Sequence, residues 1–212
     1  MYCLKALSIS RRFAILCPST KDLTPRNYNI FYDTVVLEPL PEEIFFYIYA
    51  VLYSETYRTK YAEFLKIDFP RVPFTSDYKL FKNMAEYGNR LVDLHLLKSK
   101  ELDLPIARYS IEGNNRGEKP RFDEKSGRVY INNEQYFEGI SKEVWLYQIG
   151  GYQVCDKWLK DRKGRELSLD DIQTYCRIVT AIQKTIEIQK TIDGIYENIE
   201  NSLITLREGE KV

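Results

Sequence analysis

From Pro41 onward apolar positions recur at helical spacing, a pattern the first 40 residues lack. Pro41 suits a first helical turn, and Glu42 and Glu43 complement the positive end of the helix dipole, so a helix is expected to begin there. IFFYIYAVLY (44–53) is apolar nearly all round and predicts burial on most faces. Ser54 can cap a second helix, ETYRTKYAEFLK (55–66), with Tyr57, Tyr61, Phe64 and Leu65 on one face. IDFPRVPF (67–74) holds two prolines and predicts an extended segment or edge strand. A third helix, from about Asp77 to Lys98, carries a heptad-like seam of Leu80, Met84, Tyr87, Leu91 and Leu94, beside which His95 reads as a helix-packing residue.

Residues 104–140 change character. LPIARYSI (104–111) and GRVYIN (127–132) are β-like, separated by the polar link GNNRGEKPRFDEKSG (113–127). Ser141 can cap a short helix, KEVWLYQ; Gly150-Gly151 breaks it; YQVCDKWLKD (152–161) resumes as helix until KGR (163–165) ends it. Ser168, Asp170 and Asp171 open a long helix whose seam of Ile172, Tyr175, Val179, Ile182 and Ile186 shifts after Gln189 to Ile192, Ile199 and Leu206, with Gly194 a candidate break. Continuous from 169 to 207, it would span on the order of 57 Å at 1.5 Å per residue. The expected class is α+β: a helical N-terminal part, a small mixed β-sheet from residues around 67–74 and 104–140, and a long C-terminal helix at about 169–207. Residues 1–40, with a strand-like FAILC (13–17) and loop-forming prolines, form an N-terminal extension of unclear role to a domain at 41–212.

Composition narrows the function classes. The 212 residues are 44% hydrophobic and 29% charged, enough apolar mass for a packed core. Lys plus Arg and Asp plus Glu each number 31, so a generally basic nucleic-acid coat is disfavoured and any DNA contact needs a local patch. The four cysteines (Cys3, Cys17, Cys155, Cys176) lack zinc-knuckle spacing and read as buried, reduced thiols; with His95 the only histidine, neither a metal site nor a Ser-His-Asp triad is expected. No run reaches the ~20 apolar residues of a membrane span, and Arg11 and Arg12 interrupt the apolar N-terminus before a signal sequence forms, so the expected location is cytoplasmic.

Candidate chemistry is sparse. Dinucleotide, P-loop and zincin motifs are absent from the sequence, and no cofactor is expected. The D-x-K fragments Asp123-Glu124-Lys125 and Asp161-Arg162-Lys163 lack an upstream acidic partner and read as chance in so charged a chain. KWLKDRKGR (157–165) sets Lys157, Lys160, Arg162, Lys163 and Arg165 against Asp161, a net +4 in nine residues, while 187–212 carries a net −3. Such a helix-to-loop element suits phosphate contacts; it equally suits a solvated helix end facing its own negative pole. In RVYINNEQYF (128–137), Asn132 and Gln135 carry the paired donor and acceptor groups that fit an adenine edge, and Arg128 a fork that fits guanine; Asn132-Asn133 is equally ordinary in a turn. Trp158 reads as core.

Three strings in this order, YAEFLKIDFPRVPF (61–74), RVYINNEQYFEGI (128–140) and GGYQVCDKWLKDRKGR (150–165), resemble the C-terminal specificity domain of Type ISP restriction–modification enzymes and related large adenine-specific DNA methyltransferases. EIFFYIYAVLYSETYR (43–58) and LDDIQTYCRIVTAI (169–182) fit the same pattern, and the likeness runs from about Glu43 to Ile192. The resemblance implies a bacterial, non-catalytic target recognition domain that reads double-stranded DNA and works with the nuclease, helicase and N6-adenine methyltransferase domains of the same system. On that reading Lys157, Lys160, Arg162, Lys163 and Arg165 hold phosphates, and Arg128, Asn132 and Gln135 meet base edges. The alternative is a helical interaction module, or a degenerate remnant, that docks on a methyltransferase without binding DNA.

Overall fold

The computed structural model describes residues 39–109 and 112–204; the expected FAILC strand, Cys3, Cys17, the end of LPIARYSI at 110–111 and the tail with Leu206 lie outside them. Two compact units emerge: the described parts of Met1–Asn89 with Thr191–Val212, and Arg90–Lys190.

In the first unit, helix α1 (Pro41–Tyr53) starts on its proline, and the Glu43 carboxylate accepts the Leu40 N–H at 3.1 Å and pairs with Lys82. It buries Ile44, Tyr47, Ala50 and Val51, one stripe rather than all faces. Phe45 stays half-exposed and leans on the rings of the half-buried Phe46 and Tyr49, which shield part of it. Ser54 ends α1 and caps α2 (Glu55–Lys60), its Oγ accepting the Tyr57 N–H at 3.1 Å and donating to Asp193 Oδ1 at 2.7 Å. The single second helix expected is two: Tyr61 leaves helical geometry (φ −107°, ψ 19°), and α3 (Ala62–Ile67) buries no residue. The chain then returns, extended as its prolines demand, held by the Tyr57 hydroxyl on the Arg71 carbonyl and the Tyr47 hydroxyl on the Pro73 carbonyl. It joins no named strand; Thr75 forms an isolated antiparallel bridge with Leu203.

Helix α4 (Tyr78–His95) is opened by Asp77, whose Oδ1 accepts the N–H groups of Lys79 and Leu80. Within the first unit its buried face is Phe81, Met84, Ala85 and Gly88, turned about one position from the expected seam, which left Leu80 and Tyr87 half-buried. Gly88 sets this rotation: a Cβ there would lie 1.8 Å from the Phe46 carbonyl oxygen, so the two backbones touch.

The second unit carries the sheets. Strands β1 (Arg121–Asp123), β2 (Arg128–Tyr130) and β3 (Tyr136–Phe137) form an antiparallel meander in that order. Helix α5 (Lys142–Leu146) has Ser141 as its cap. Strands β4 (Gln148–Ile149) and β5 (Tyr152–Gln153) form a hairpin whose two turn residues, Gly150 and Gly151, both have positive φ, as such a tight turn requires. Helix α6 (Val154–Lys160) and the long α7 (Leu169–Glu200) follow. The α+β class stands; the sheets are antiparallel rather than mixed, because short turns join consecutive strands and leave no length for a crossover. Val129, Phe137, Val144, Trp145, Cys155, Leu159, Tyr175, Val179 and Ile186 form the core of this unit. His95 packs as expected, with Nε2 3.0 Å from Thr185 Oγ1. Helix α7 runs through Gly194 unbroken. No helix among the described residues is long and apolar enough to cross a membrane.

Candidate nucleic-acid interface

Helix α6 buries Cys155 and Leu159, four residues apart, which leaves Lys157 and Lys160 on its outer side. Burial pushes the Cys155 thiol up to about 12, so it is a packing group rather than a nucleophile. Lys157 pairs with Asp161 at 2.6 Å and Lys160 with Asp156 at 2.5 Å. The Lys157–Asp161 pair is exposed on both sides and contributes little, so a phosphate can replace its carboxylate; Asp156 is largely covered, and only the lysine end of its pair faces solvent. Arg162 is different. Its guanidinium lies 3.4 Å from the Trp158 ring centroid, its Nε donates to Asp171 Oδ1 at 2.8 Å, and Nη1 donates to the Trp158 carbonyl at 3.3 Å. The Arg162 bond holds the Asp171 carboxyl below its usual range. Trp158 in turn rests on Tyr175, ring to ring at 5.3 Å. Arg162 therefore anchors the loop to α7.

Past Arg162 the loop turns at Gly164, φ +80°, where open space around the missing Cβ leaves conformation as the reason for glycine. Arg165 Nη2 donates to the Asp161 carbonyl at 2.9 Å. Lys163 is exposed and its ammonium has no hydrogen-bond or ion-pair partner among the described residues. The sequence count of +4 thus reduces to one base without a partner among the described residues, two lysines paired one helical turn away, one arginine on a carbonyl and one structural arginine.

The polar link 113–127, which sequence reading treated as a connector, organises this region. Gly117 N–H donates to the Arg165 carbonyl (2.9 Å), Gly164 N–H to the Gly117 carbonyl (2.7 Å) and Leu167 N–H to the Asn115 carbonyl (2.8 Å), around the bridge Arg116–Glu166. The link thereby forms a short antiparallel seam with the basic loop. Gly117 is buried, and a Cβ there would press on the Arg162 carbonyl at 3.1 Å.

The other side of the link meets the turn after β2. Gln135 is 1% exposed. Its Oε1 accepts the Asn115 N–H at 2.8 Å and Asn132 Nδ2–H at 2.9 Å, and its Nε2 donates to Asn115 Oδ1 at 2.8 Å. Asn132 Oδ1 accepts the N–H groups of Glu134 and Gln135, and its Nδ2 also donates to the Arg116 carbonyl at 3.2 Å. The Tyr109 hydroxyl adds a bond to Asn115 Oδ1 at 2.8 Å. Asn115 itself has φ +52°, a conformation asparagine tolerates better than most residues. Gln135 and Asn132, read from sequence as base-edge candidates, are thus occupied in an amide clasp. Gln135 has no face to offer a base, because a buried amide without partners is costlier than an exposed one.

Arg128 remains at the surface. On the outer face of the meander, its guanidinium carbon lies 4.2 Å from the Tyr136 ring centroid and that of Arg121 4.1 Å from the Tyr130 ring, with the two tyrosine rings 5.2 Å apart. Stacking occupies the flat of each guanidinium and leaves its in-plane N–H edge for acceptors; Glu138 lies 3.6 Å from one Arg128 nitrogen. The opposite face buries Val129 and Phe137, the period-2 alternation of a half-buried sheet. Sequence reading missed Asn115, Arg116, Arg121 and Tyr130. The signals were present: Asn and Gly flanking Arg116, and arginine and tyrosine at alternate positions of paired strands.

The family model for the Type ISP C-terminal specificity domain matches residues 18–191. Comparison with curated proteins finds no match. Among solved structures, a nuclease-deletion mutant of the Type ISP restriction-modification enzyme LlaGI in complex with a DNA substrate mimic aligns at TM-score 0.55 and 22% identity, over 73% of this chain and 14% of that one. The DrdV–DNA complex aligns at 0.57 and 23% identity, over 71% of this chain and 18% of that one. The ATP-dependent Type ISP restriction-modification enzyme LlaBIII bound to DNA aligns at 0.55 and 19% identity, over 76% and 11%. At these identities the likeness shows a shared fold, and the chain spans less than a fifth of each neighbour's length.

Proposed function

This chain belongs to the Type ISP C-terminal specificity domain family, and from that premise we propose that it reads a double-stranded DNA target for a restriction-modification system. It does so as a recognition module, with methyltransferase, helicase and nuclease chemistry supplied by other domains of that system. The family match over residues 18–191 carries the reading, and the DNA complexes among its structural neighbours support it. Lys163, Arg165, Lys157 and Lys160 hold the phosphate backbone, joined by the exposed Arg116 of the link; Arg128 on the sheet face meets base edges. Arg162 shapes the loop, Gln135 sits behind the surface, and the partly exposed Asn132 spends its amide on the turn and the link.

Fluorescence anisotropy of the full chain with random and selected duplexes over a salt series tests the proposal. Binding is expected to weaken as salt rises, with a log–log slope of about −0.9 for each phosphate neutralised. Selection from a random-duplex pool is expected to enrich a defined sequence. Absence of binding at low salt, or binding without enrichment, overturns it.

A further inference from the structure

The amide clasp joins two regions that the sequence keeps far apart. Asn115 bonds Gln135 on one side through both its backbone N–H and its side chain. On the other side its carbonyl takes the Leu167 N–H, at the end of the basic loop. Gly113 admits this arrangement: a Cβ there would lie 2.6 Å from Gln135 Cδ, so a larger residue would push the amide out. Two residues further along the link, Gly117 bonds both Gly164 and Arg165. Hydrogen bonds at both ends, joined by the backbone of Asn115, Arg116 and Gly117, therefore connect the buried Gln135 amide to the backbone that carries Lys163 and Arg165.

Helix α6 and the Arg162 anchor fix only the first half of the loop. Beyond Gly164 the chain has no regular element until α7; besides the Arg165 N–H on the Arg162 carbonyl and the Ser168 N–H on Asp171, its backbone is held by the seam with the link. We infer that Gln135 is a positioning residue for DNA binding, whose clasp on Asn115 fixes the register of the link and thereby presents Lys163, Arg165 and Arg116 together to one stretch of phosphates. The inference rests on the DNA-binding reading above and adds a buried residue that touches no DNA.

Gln135→Leu keeps about the same volume and removes the three side-chain bonds named above; Asn115→Gly keeps the positive φ and removes only the side-chain half of the clasp; Gln135→Glu keeps the two acceptor bonds. Each full-chain variant is measured by amide hydrogen exchange and by DNA binding over a salt series. For Gln135→Leu, exchange at Gly117, Gly164 and Leu167 is expected to quicken about tenfold more than at the α7 amides, whose own change reports the loss of global stability. DNA affinity at low salt falls about tenfold and the salt slope loses about two contacts. Gln135→Glu recovers most of both effects only in its protonated form, at mildly acid pH, where its O–H replaces the Nε2–H donor to Asn115 Oδ1; ionised, it sets an acceptor against that acceptor and recovers neither. Should Gln135→Leu unfold, Asn115→Gly carries the same comparison with about half the change. Unchanged loop exchange and salt slope in a folded variant overturn the positioning role while leaving the DNA reading intact. A wild-type chain that binds no DNA overturns both, and the exchange data then describe a purely structural clasp.

Discussion

The basic loop at 157–165 and the amide turn at 132–135 looked alike in sequence, each a short polar cluster at the end of a regular element, yet the fold uses them in opposite ways. In the loop the polar ends stay at the surface, where Lys157 and Lys160 pair only with neighbours one helical turn away and Lys163 with none among the described residues. In the turn the polar ends face inward, and Gln135 and Asn132 bond backbone groups of a distant segment. Side-chain reach explains the contrast. A lysine carries its charge four methylenes from the backbone and keeps it in water, whereas an amide buried beside unsatisfied N–H and C=O groups must bond them. The lesson is that a recognition surface needs polar groups with capacity left over, and that capacity is set by what lies behind the surface.

The contrast predicts that residues of the clasp govern stability, and binding only through the loop they position, whereas exposed residues of the loop govern binding alone. The largest effect is expected for Asn115→Ala, which forces alanine to φ +52° and removes the side-chain bonds with Tyr109 and Gln135. A loss of about 2–3 kcal/mol is expected from urea unfolding, with an unchanged m-value. Arg162→Ala comes next, at about 1–2 kcal/mol of stability from the Trp158 stack and the Asp171 bond together, because this arginine belongs with the clasp in kind although it lies in the loop. A stability equal to wild type would return Arg162 to the surface class. Lys163→Ala is the converse: its urea midpoint stays at the wild-type value while anisotropy shows weaker binding to every duplex and a salt slope smaller by about one. Lowered stability in that variant would erase the distinction between the two regions.

The smallest effect is in acid. Asp171 has its folded pKa depressed, chiefly by the Arg162 bond and against burial, with the Ser168 N–H and hydroxyl adding to it. Its contribution is therefore complete above the unfolded value of about 3.9 and is lost as pH falls through the lower folded value. Urea midpoints measured between about pH 5 and pH 2 should fall less steeply for Asp171→Asn than for wild type.

Much of the helical framework was legible because its signals are local. Pro41 with its two glutamates, Ser54, Ser141 and Ser168 each open the helix they were expected to open. The rotation of α4 was not, since a seam drawn through large residues passes over Ala85 and Gly88, where smallness is the packing feature. The split of the second helix at Tyr61 was not legible either, since no glycine or proline marks it in the sequence. The basic loop was found from charge alone. The clasp was not, because Asn115 and Gln135 are 20 residues apart and each sits in an ordinary-looking turn. Their pairing is a fact of tertiary structure, and only the positive φ of Asn115 marks it locally.

The placement of the aromatic anchor beneath Arg162 has an optical consequence. The chain has two tryptophans, Trp145 and Trp158, and both belong to the unit Arg90–Lys190; the other unit absorbs through tyrosine. Trp145 is stacked on Phe122 in the core, whereas Trp158 has the guanidinium of the basic loop 3.4 Å from its ring centroid. Selective excitation near 295 nm would thus follow one unit alone. Replacing Trp145 by phenylalanine would leave a single indole whose emission wavelength and lifetime respond to the cation above it, a built-in chromophore for the loop with no dye attached.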